Sequence, residues 1–400
     1  MANRIVVNIS TSADWCRRPV GIVRVEREII KALVRHFPHR VLPVYLDKVH
    51  DEWATVAPGC FDEIQSDEWV ESDDPDRKAA GVYNHLSPFH PRVGDQFVSM
   101  GSDWSFRIPD RVEKLYGNSR TIISACYDLI PLLFPEFTPG PEFYEQFNYH
   151  YKKLAHLGKS VFAISETSAE SLRDFWKTEG LSAHAPPIEV VPLAAPVSDV
   201  QPQLTNSVDR REFNDIAGDS PYVIYVSTIE PRKNHQLLLD LWRELYVERG
   251  DKCPRLLIIG MRGWGCGDLI TMAGNMNAAQ AGKIVVKEGI SDALLMQLYA
   301  SAVFAVFPSY FEGWGLAATE AGALGKICVV SNAGALAEAT HGVMPSYHPL
   351  DFPGWKSEIC RLFDDASYRR SLEGKLTATQ FRRTWLEFGD EFCGKMLADT

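Results

Sequence analysis

This 400-residue sequence lacks the features that mark several broad classes of protein. No segment approaches the run of about 18 apolar residues that a membrane-spanning helix needs, and the N-terminus lacks the organisation of a signal peptide. There is no C-x-x-C pair, no internal repeat and no low-complexity tract. The eight cysteines are scattered, several of them in apolar segments, which favours buried free thiols over a disulfide or zinc framework. We therefore expect a cytoplasmic protein that contacts a membrane at most peripherally.

The sequence also has fewer positively charged than negatively charged side chains. Lys and Arg number 41 against 52 Asp and Glu, which gives a net charge of −11 and makes nucleic acid an unexpected partner. The glycines that follow the predicted strand Arg255 to Gly260 do not have G-x-G-x-x-G spacing, so a dinucleotide-binding loop is not predicted.

One segment is acidic throughout. Asp51 to Asp76 contains ten acids and no Lys or Arg, which predicts a solvated, partly irregular insertion. It includes Asp74-Pro75-Asp76, formally a D-x-D metal motif. A metal-binding D-x-D should end a buried strand, and this one lies in a polar run with a central proline. We therefore expect no metal site.

The length, with 46% apolar residues, suits two α/β domains of about 200 residues each. Short β-branched runs that end in polar or glycine-containing loops predict strands. The polar, irregular segment Ala194 to Asp219 is the best candidate for a linker. The predicted strands are Arg4–Ile9, Gln96–Met100, Arg120–Cys126, Ser160–Ile164, Ile188–Val191, Tyr222–Val226, Arg255–Gly260, Ile284–Val286, Val303–Phe307 and Ile327–Val330.

The most informative stretch follows the strand Val303–Phe307. The loop Tyr310 to Gly315 leads into a predicted helix, Leu316 to Leu324, so backbone N–H groups and a helix N-terminus face the carboxyl edge of a parallel sheet, where phosphates bind. Glu312 and Glu320 bracket this site and would repel phosphate, so each should face hydroxyl-rich groups such as a sugar or a ribose. The alternative is that Glu312 caps the helix and Glu320 is solvated.

A second cationic loop follows the strand Tyr222–Val226. The sequence VSTIEPRKN places Arg232 and Lys233 between that strand and a helix that begins near Asn234. Such a position, at the mouth of a sheet with a helix dipole behind it, suits an anion. A generic pair of surface cations is the alternative.

The helix predicted over about Ile22 to Phe37, which begins after Gly21, carries a basic stripe. Either this stripe is an ordinary solvated face or it meets an anionic acceptor or lipid headgroups. Its members are Arg24, Arg27, Lys31 and Arg35.

Several segments resemble one enzyme family in the same order. PSYFEGWGLAATEA resembles the E-x7-E region of retaining GT-B glycosyltransferases of family 4 (glycosyl transferases group 1), with Ala317 in place of the customary proline. VSTIEPRKN is similar to the family's V-G-T-x-E-P-R-K-N, with Ser227 for glycine, and GIVRVEREI to the start of its first helix. SETSAESL is similar to its V-S-E-x-S segment. YDLIP resembles its H-D-x-x-P, but Tyr127 replaces the histidine, which puts a proton-transfer role there in doubt.

The resemblance implies roles for matching residues. Arg232 and Lys233 would bind the donor diphosphate, Glu312 would lie near the donor sugar, and Asp128 would bind a sugar hydroxyl or else brace its turn. Glu320 would bind the ribose. The remaining implied donor-binding residues are Gly21, Ser227, Glu288, Gly313, Trp314, Gly315 and Leu316.

The resemblance also implies a fold and a function. The fold would be GT-B: two Rossmann-like doubly wound α/β domains facing a central cleft, with an acceptor-side domain at 1–205, a nucleotide-sugar domain at 206–367 and a C-terminal helix at 368–400 crossing back. The enzyme would transfer a hexose with retention, mannose from GDP-mannose being the first expectation, to a glycan or lipid-linked glycan of a bacterial surface polysaccharide. No cofactor or metal would be required. The alternatives are a GT-B epimerase or a catalytically weak sugar-nucleotide-binding component of an assembly complex. A phosphorylase would need a pyridoxal lysine site, which the sequence does not reveal.

Overall fold

The structure is a computed structural model that describes residues 3–15, 21–66, 82, 85–194, 207–218, 220–376 and 381–398. The chain divides into two compact units. The first comprises Met1–Leu193 together with Trp385–Thr400, and the second comprises Ala194–Thr384.

The first unit is built on a mostly parallel sheet in the strand order β4-β3-β2-β1-β5-β6-β7-β8. Among the strands that the structure describes here, only the β2–β3 and β3–β4 pairs are antiparallel. The strands β1, β5, β6 and β7 are almost entirely buried, as expected for parallel strands covered on both faces. Their bounds are β1 Ile5–Asn8, β2 Val41–Asp47, β3 Glu52–Val56, β4 Leu86–Pro88, β5 Gln96–Ser99, β6 Ile122–Cys126, β7 Gly158–Ala163 and β8 Ile188–Val190.

Helices connect these strands, and the last helix of the chain returns to this unit. The side chain of Ser165 caps the helix Glu166–Thr178 (α7) by accepting the N–H of Ser168 (3.0 Å). The C-terminal helix α17 packs against α2. The described helices are α1 Ser10–Asp14, α2 Gly21–His36, α3 Pro58–Ile64, α4 Ile108–Tyr116, α5 Ile130–Leu133, α6 Pro141–Leu157, α7 Glu166–Thr178 and, after the second unit, α17 Trp385–Ala398.

The second unit is built on a sheet whose strand pairs are all parallel, in the order β11-β10-β9-β12-β13-β14. The chain moves outward from β9 through β10 to β11 and then crosses to the other side of β9 to form β12. The topological switch point of a doubly wound sheet therefore lies between β9 and β12. The strands are β9 Tyr222–Val226, β10 Arg255–Ile259, β11 Ile284–Lys287, β12 Phe304–Phe307, β13 Cys328–Ser331 and β14 Ser346–Tyr347.

The helices of the second unit cover this sheet around a core that includes the fully buried Trp242, Tyr299 and Trp355. They are α8 Ser207–Ala217, α9 His235–Arg249, α10 Gly267–Asn275, α11 Asn277–Gln280, α12 Asp292–Ser301, α13 Leu316–Ala323, α14 Leu336–Ala339, α15 Phe352–Asp364 and α16 Ala366–Glu373.

The acidic segment Asp51 to Asp76 is more regular than its composition predicts. Its first part forms β3 and α3, and Trp53, Phe61 and Ile64 are buried. The prediction of a solvated insertion is wrong for this part, because apolar side chains at sheet and helix spacing lie between the acids. Residues 67–81, which include Asp74 and Asp76, lie outside the described residues.

Within the described ranges, no helix combines the length and the apolar character that crossing a lipid bilayer requires.

Candidate functional site

The loops that follow β9 and β12 meet at the carboxyl edge of the second sheet. The N–H of Tyr310 donates to the carbonyl of Arg232 (2.9 Å), and the side-chain amide of Asn234 donates to the carbonyl of Pro308 (3.0 Å). The loops are therefore joined at the switch point, the position where open α/β sheets bind ligands.

The first of these loops is a tight turn. Pro231–Lys233 forms a single 3-10 turn, and Asn234 then adopts a left-handed conformation with φ of +55° before α9 begins. Asparagine tolerates this region better than most residues. A second bond from Asn234 to the carbonyl of Pro349 (3.0 Å), and one from the Tyr225 hydroxyl to the carbonyl of Lys233 (2.6 Å), hold the turn.

Arg232, Lys233, Glu312 and Glu230 form one ion cluster. Lys233 Nζ lies 2.6 Å from Glu312 Oε1, and Arg232 Nη1 lies 2.8 Å from Glu312 Oε2. The other terminal nitrogen of Arg232, Nη2, lies 2.8 Å from Glu230 Oε1, and Nη1 also donates to the carbonyl of Phe311 (2.7 Å). The four side chains are 13–16% exposed, so the cluster is largely buried but still reached by solvent.

The cluster controls the protonation of its members. Burial alone would raise the pKa of Glu312, but the charges of Arg232 and Lys233 outweigh burial and lower the pKa to about 2. Burial and the neighbouring Arg232 lower the pKa of Lys233 from its ordinary value. Glu312 is therefore a carboxylate at neutral pH.

The backbone of Glu312 is fixed by the loop after β13. Ala335 N–H donates to the Glu312 carbonyl (2.8 Å), and Gly334 has φ of +70°. A Cβ added at Gly334 would lie 2.6 Å from both the nitrogen and the carbonyl oxygen of Glu312, so only glycine permits this approach. The main chain of Glu312 is therefore fixed by its contacts with this loop.

The rest of the predicted donor loop leads into α13. Gly315 has φ of +118°, and a Cβ there would lie 2.5 Å from Leu336 Cδ2. Trp314 is buried, Gly313 precedes it, and Leu316 is the first residue of α13. The structure therefore places these residues directly after Glu312, and α13 begins four residues after it.

Three further candidates of this unit lie on other elements. Ser227 follows β9, and its Oγ lies 3.2 Å from Nε2 of the buried His235. Glu288 follows β11 and is paired with Arg262 (3.2 Å). Glu320 lies on α13 and is half-buried.

In the first unit, Tyr127 and Asp128 follow β6. The Tyr127 hydroxyl donates to the carbonyl of Met100, and burial raises the pKa of Tyr127 well above its ordinary value. Asp128 Oδ1 accepts the N–H of Ile130 (3.0 Å), which is the turn-bracing role. Gly21 begins α2 with φ of +51°.

The predicted basic stripe on α2 requires a correction. Arg27 is 4% exposed, and its guanidinium donates to the carbonyls of Ile64 (2.6 Å), Gln65 (2.8 Å) and Ser66 (3.2 Å), so it cannot lie on a solvent or membrane face.

The other three cations of the stripe have partners within the first unit. Arg24 lies over the ring of Trp385, with Cζ 5.3 Å from its centroid, and Arg35 is paired with Asp390 of α17. Lys31 is paired with Glu28 (3.0 Å). Two of the four cations therefore contact the C-terminal helix.

Sequence reasoning missed a second buried acidic group, in the first unit. Its carboxylates are those of Glu26, which lies on α2, and Asp103, which follows β5. Ser12 donates to Glu26 Oε2, whereas Oε1 is buried and has no hydrogen-bond partner among the described residues. Asp103 accepts hydroxyl bonds from Ser99 (2.6 Å) and Ser124 (3.1 Å). Burial raises the pKa of Glu26 to about 8 and that of Asp103 to about 7.

Sequence reasoning also missed three residues in and around the ion cluster, Glu230, Asn234 and Gly334. The first two are part of the EPRKN sequence, and a glycine after a strand-like run is a recognisable signal for a left-handed turn. What they contact depends on chain segments up to 115 residues away, which no local pattern shows.

No group of three or more His, Cys, Asp or Glu side chains suited to a metal ion occurs among the residues that the structure describes.

Comparison with solved structures identifies the fold. HepE of Anabaena in complex with UDP matches with a TM-score of 0.64 over 99% of this chain and 100% of that chain, at 14% identity. An Escherichia coli structure described as trehalose-6-phosphate bound with UDP-2-fluoro glucose matches with a TM-score of 0.66 over 98% of this chain and 99% of that chain, at 13% identity. These neighbours are GT-B glycosyltransferases. The fold is GT-B, and the predicted fold class is confirmed.

Comparison of sequences identifies the second unit. Residues 208–341 match the family model described as Glycosyl transferases group 1, so this unit contains a domain of that type. The serotype-specific mannosyltransferase WbdA of Escherichia coli is 24% identical over 66% of this chain and 32% of its own length. The O-antigen chain mannosyltransferase B of Escherichia coli is 32% identical over 40% of this chain and 42% of its own. The matches thus cover only 32% and 42% of the length of these two curated relatives.

Proposed function

We propose that the protein is a glycosyltransferase that uses a nucleoside diphosphate sugar as its donor. The observation that carries the proposal is the ion cluster at the switch point, where Arg232 and Lys233 bind Glu312, which lies four residues before the start of α13. Two largely buried cations and a helix N-terminus suit a diphosphate, and an adjacent carboxylate suits sugar hydroxyls.

In this proposal the cations act on the leaving group. As the bond between the sugar and the diphosphate breaks, negative charge grows on the diphosphate, and Arg232 and Lys233 stabilise it by several kcal/mol. These side chains supply the positive charge that a metal ion supplies in other transferases, so the reaction needs no divalent metal. Adding EDTA should leave the rate unchanged, and a strict need for manganese or magnesium would contradict this part.

The stereochemical course proposed is retention. Glu312 is bound to two cations, and its pKa of about 2 marks a stable carboxylate that orients the sugar. A substitution on the same face, assisted by the leaving phosphate, then retains the anomeric configuration. The anomer produced can be read from the one-bond coupling between C1 and the anomeric proton of the product glycoside, which differs between α- and β-mannosides, and an inverted anomer would contradict retention.

For the donor we propose a hexose, with GDP-mannose first. Two sequence relatives are described as mannosyltransferases, one of them of an O-antigen chain. UDP and UDP-2-fluoro glucose are named in the matching structures. The acceptor proposed is a glycan or lipid-linked glycan of a surface polysaccharide, which would bring the protein to the cytoplasmic face of a membrane.

The test is a donor screen followed by a turnover assay. Thermal shifts with GDP-mannose, UDP-glucose and related nucleotide sugars identify the donor, and release of nucleoside diphosphate is then measured with and without glycan acceptors. Acceptor-dependent release supports a transferase. Donor conversion without acceptor would indicate an epimerase instead, and a thermal shift without any conversion would indicate a binding component.

A further inference from the structure

The two cations of the ion cluster share one carboxylate. Glu312 Oε1 binds Lys233 Nζ at 2.6 Å and Oε2 binds Arg232 Nη1 at 2.8 Å, so both carboxylate oxygens are in use. Glu230 accepts a bond from the other terminal nitrogen of Arg232, Nη2, at 2.8 Å. With two cations and two carboxylates, the cluster is formally neutral.

This neutrality opposes the binding of an anion. The pKa of Glu312 is about 2, so protonation does not remove its charge near pH 7. A diphosphate brought to Arg232 and Lys233 would meet a carboxylate already in contact with both nitrogens. At such separations in a largely buried site, repulsion between like charges is strong. A diphosphate can gain the full attraction of both cations only if Glu312 withdraws.

Withdrawal of the Glu312 side chain would leave the other contacts of the cluster in place. The main chain of Glu312 is held by Gly334 and Ala335, so the movement is a side-chain rotation. Arg232 would retain Glu230 and the carbonyl of Phe311 as partners. The two carboxylates therefore have different tasks: Glu230 holds the guanidinium in position, and Glu312 can exchange.

We propose that Glu312 is the resident anion of the diphosphate site: its carboxylate binds Arg232 and Lys233 until the donor arrives. When the donor binds, Glu312 leaves both cations and the donor diphosphate takes its place. The exchange releases the Glu312 carboxylate for the sugar hydroxyls only when a diphosphate is in place. The inference rests on the proposed function, because it assumes that a nucleoside diphosphate binds these cations.

The experiment measures anion affinity with and without the resident carboxylate. Inorganic pyrophosphate, UDP and GDP are titrated by calorimetry at pH 7.5 into the wild-type chain, Glu312→Gln and Glu312→Ser. Both variants are expected to bind pyrophosphate, and the nucleoside diphosphate that the wild type prefers, about tenfold more tightly, because an anion that competes for the cations is gone. Turnover of both variants is expected to fall at the same time, since the released carboxylate no longer orients the sugar.

The matched control is Glu244→Gln. This change removes the same charge from the same unit, but Glu244 lies nine residues, about 13 Å, along α9 from His235 and is paired with Lys356 (2.8 Å). Its affinity for pyrophosphate is expected to equal that of wild type. A similar gain in Glu244→Gln would show that net charge alone drives the effect and would overturn the proposal.

Two different Glu312 variants are made in case one of them does not fold, and the fold of each is checked by measuring its unfolding transition. Unchanged or weaker binding in both folded variants overturns the exchange. If the two Glu312 variants bind no more tightly than wild type but Arg232→Ala binds these anions more weakly than wild type, the proposed function stands and only the exchange fails. If neither wild type nor Glu312→Gln binds any of the three anions, the proposed function fails and the exchange fails with it.

Discussion

The side-chain amide of Asn234 donates to the carbonyl of Pro308 at 3.0 Å and so joins the loop that carries Arg232 and Lys233 to the loop that carries Glu312. Asn234 is 3% exposed, and its second amide bond, to Pro349, reaches a third segment. The geometry of the ion cluster thus depends on a residue that takes no part in it.

Replacing Asn234 by alanine is expected to lower the free energy of unfolding by about 2–4 kcal/mol. The change leaves two buried carbonyls without donors. It also places alanine, which has a Cβ but no polar group to bond locally, at φ of +55°. Urea unfolding measures the loss. Asn234→Gly keeps the backbone conformation but not the bonds, so it separates the two causes; equal stability of all three chains would contradict the role assigned to Asn234.

Gly334→Ala is expected to destabilise the chain and to lower donor affinity. The new Cβ would lie 2.6 Å from the Glu312 backbone, so Glu312 or the loop must shift. Gly342→Ala is the matched control, since Gly342 has φ of +64° but nothing within 4 Å of its Cβ position. We expect the control to cost about 1 kcal/mol from backbone strain alone and Gly334→Ala to cost more. Thermal unfolding with and without nucleotide sugar measures both effects, and equal losses would show that the contact with Glu312 is unimportant.

Stability should fall as the pH rises from about 5 to 7. Glu26 and Asp103 have pKa values raised to about 8 and 7, so the folded state keeps protons that the unfolded chain has released. The unfolded state then binds fewer protons, and each group lowers the unfolding free energy by up to about 1.4 kcal/mol per pH unit in this window. Glu26→Gln is expected to flatten the slope and to raise stability at pH 8, whereas Glu28→Gln on the same helix should do neither. Identical slopes for wild type and Glu26→Gln would be inconsistent with a protonated Glu26.

Arg27→Gln is expected to lower the unfolding free energy by about 2–4 kcal/mol, because three carbonyls lose a charged donor in a buried position. Lys31→Gln, one turn further along α2 and exposed, should cost less than about 0.5 kcal/mol. In a co-sedimentation assay, the same two variants should bind anionic vesicles to the same extent. A selective loss of vesicle binding in folded Arg27→Gln would restore the membrane-facing interpretation.

Much of the fold follows from local sequence. The runs Tyr222–Val226 and Val303–Phe307 are apolar and β-branched, and they become the buried strands on either side of the switch point. The partner of Glu312 does not follow in the same way. It depends on strand order, which brings Arg232 to a carboxylate 80 residues away.

Two predictions failed for physical reasons that local patterns conceal. The spacing of Arg27 places it on a polar helix face, but the carbonyls of residues 64–66 come from a distant segment and bury it. The acids between Asp51 and Ile64 hide apolar positions at regular spacing, among them Trp53 and Phe61. In both cases tertiary packing decides the outcome.

The measurement that tests the central claim most directly is the donor kcat/KM of Arg232→Ala and Lys233→Ala. The control is Arg243→Ala, a surface arginine of α9 that is 62% exposed and paired with Asp240. If the cations stabilise the leaving diphosphate, each change should lower kcat/KM by about 30- to 1000-fold, which corresponds to about 2–4 kcal/mol of transition-state stabilisation, and the control should match wild type. Rates within about threefold of wild type for both variants would contradict the assignment of Arg232 and Lys233 to the donor site.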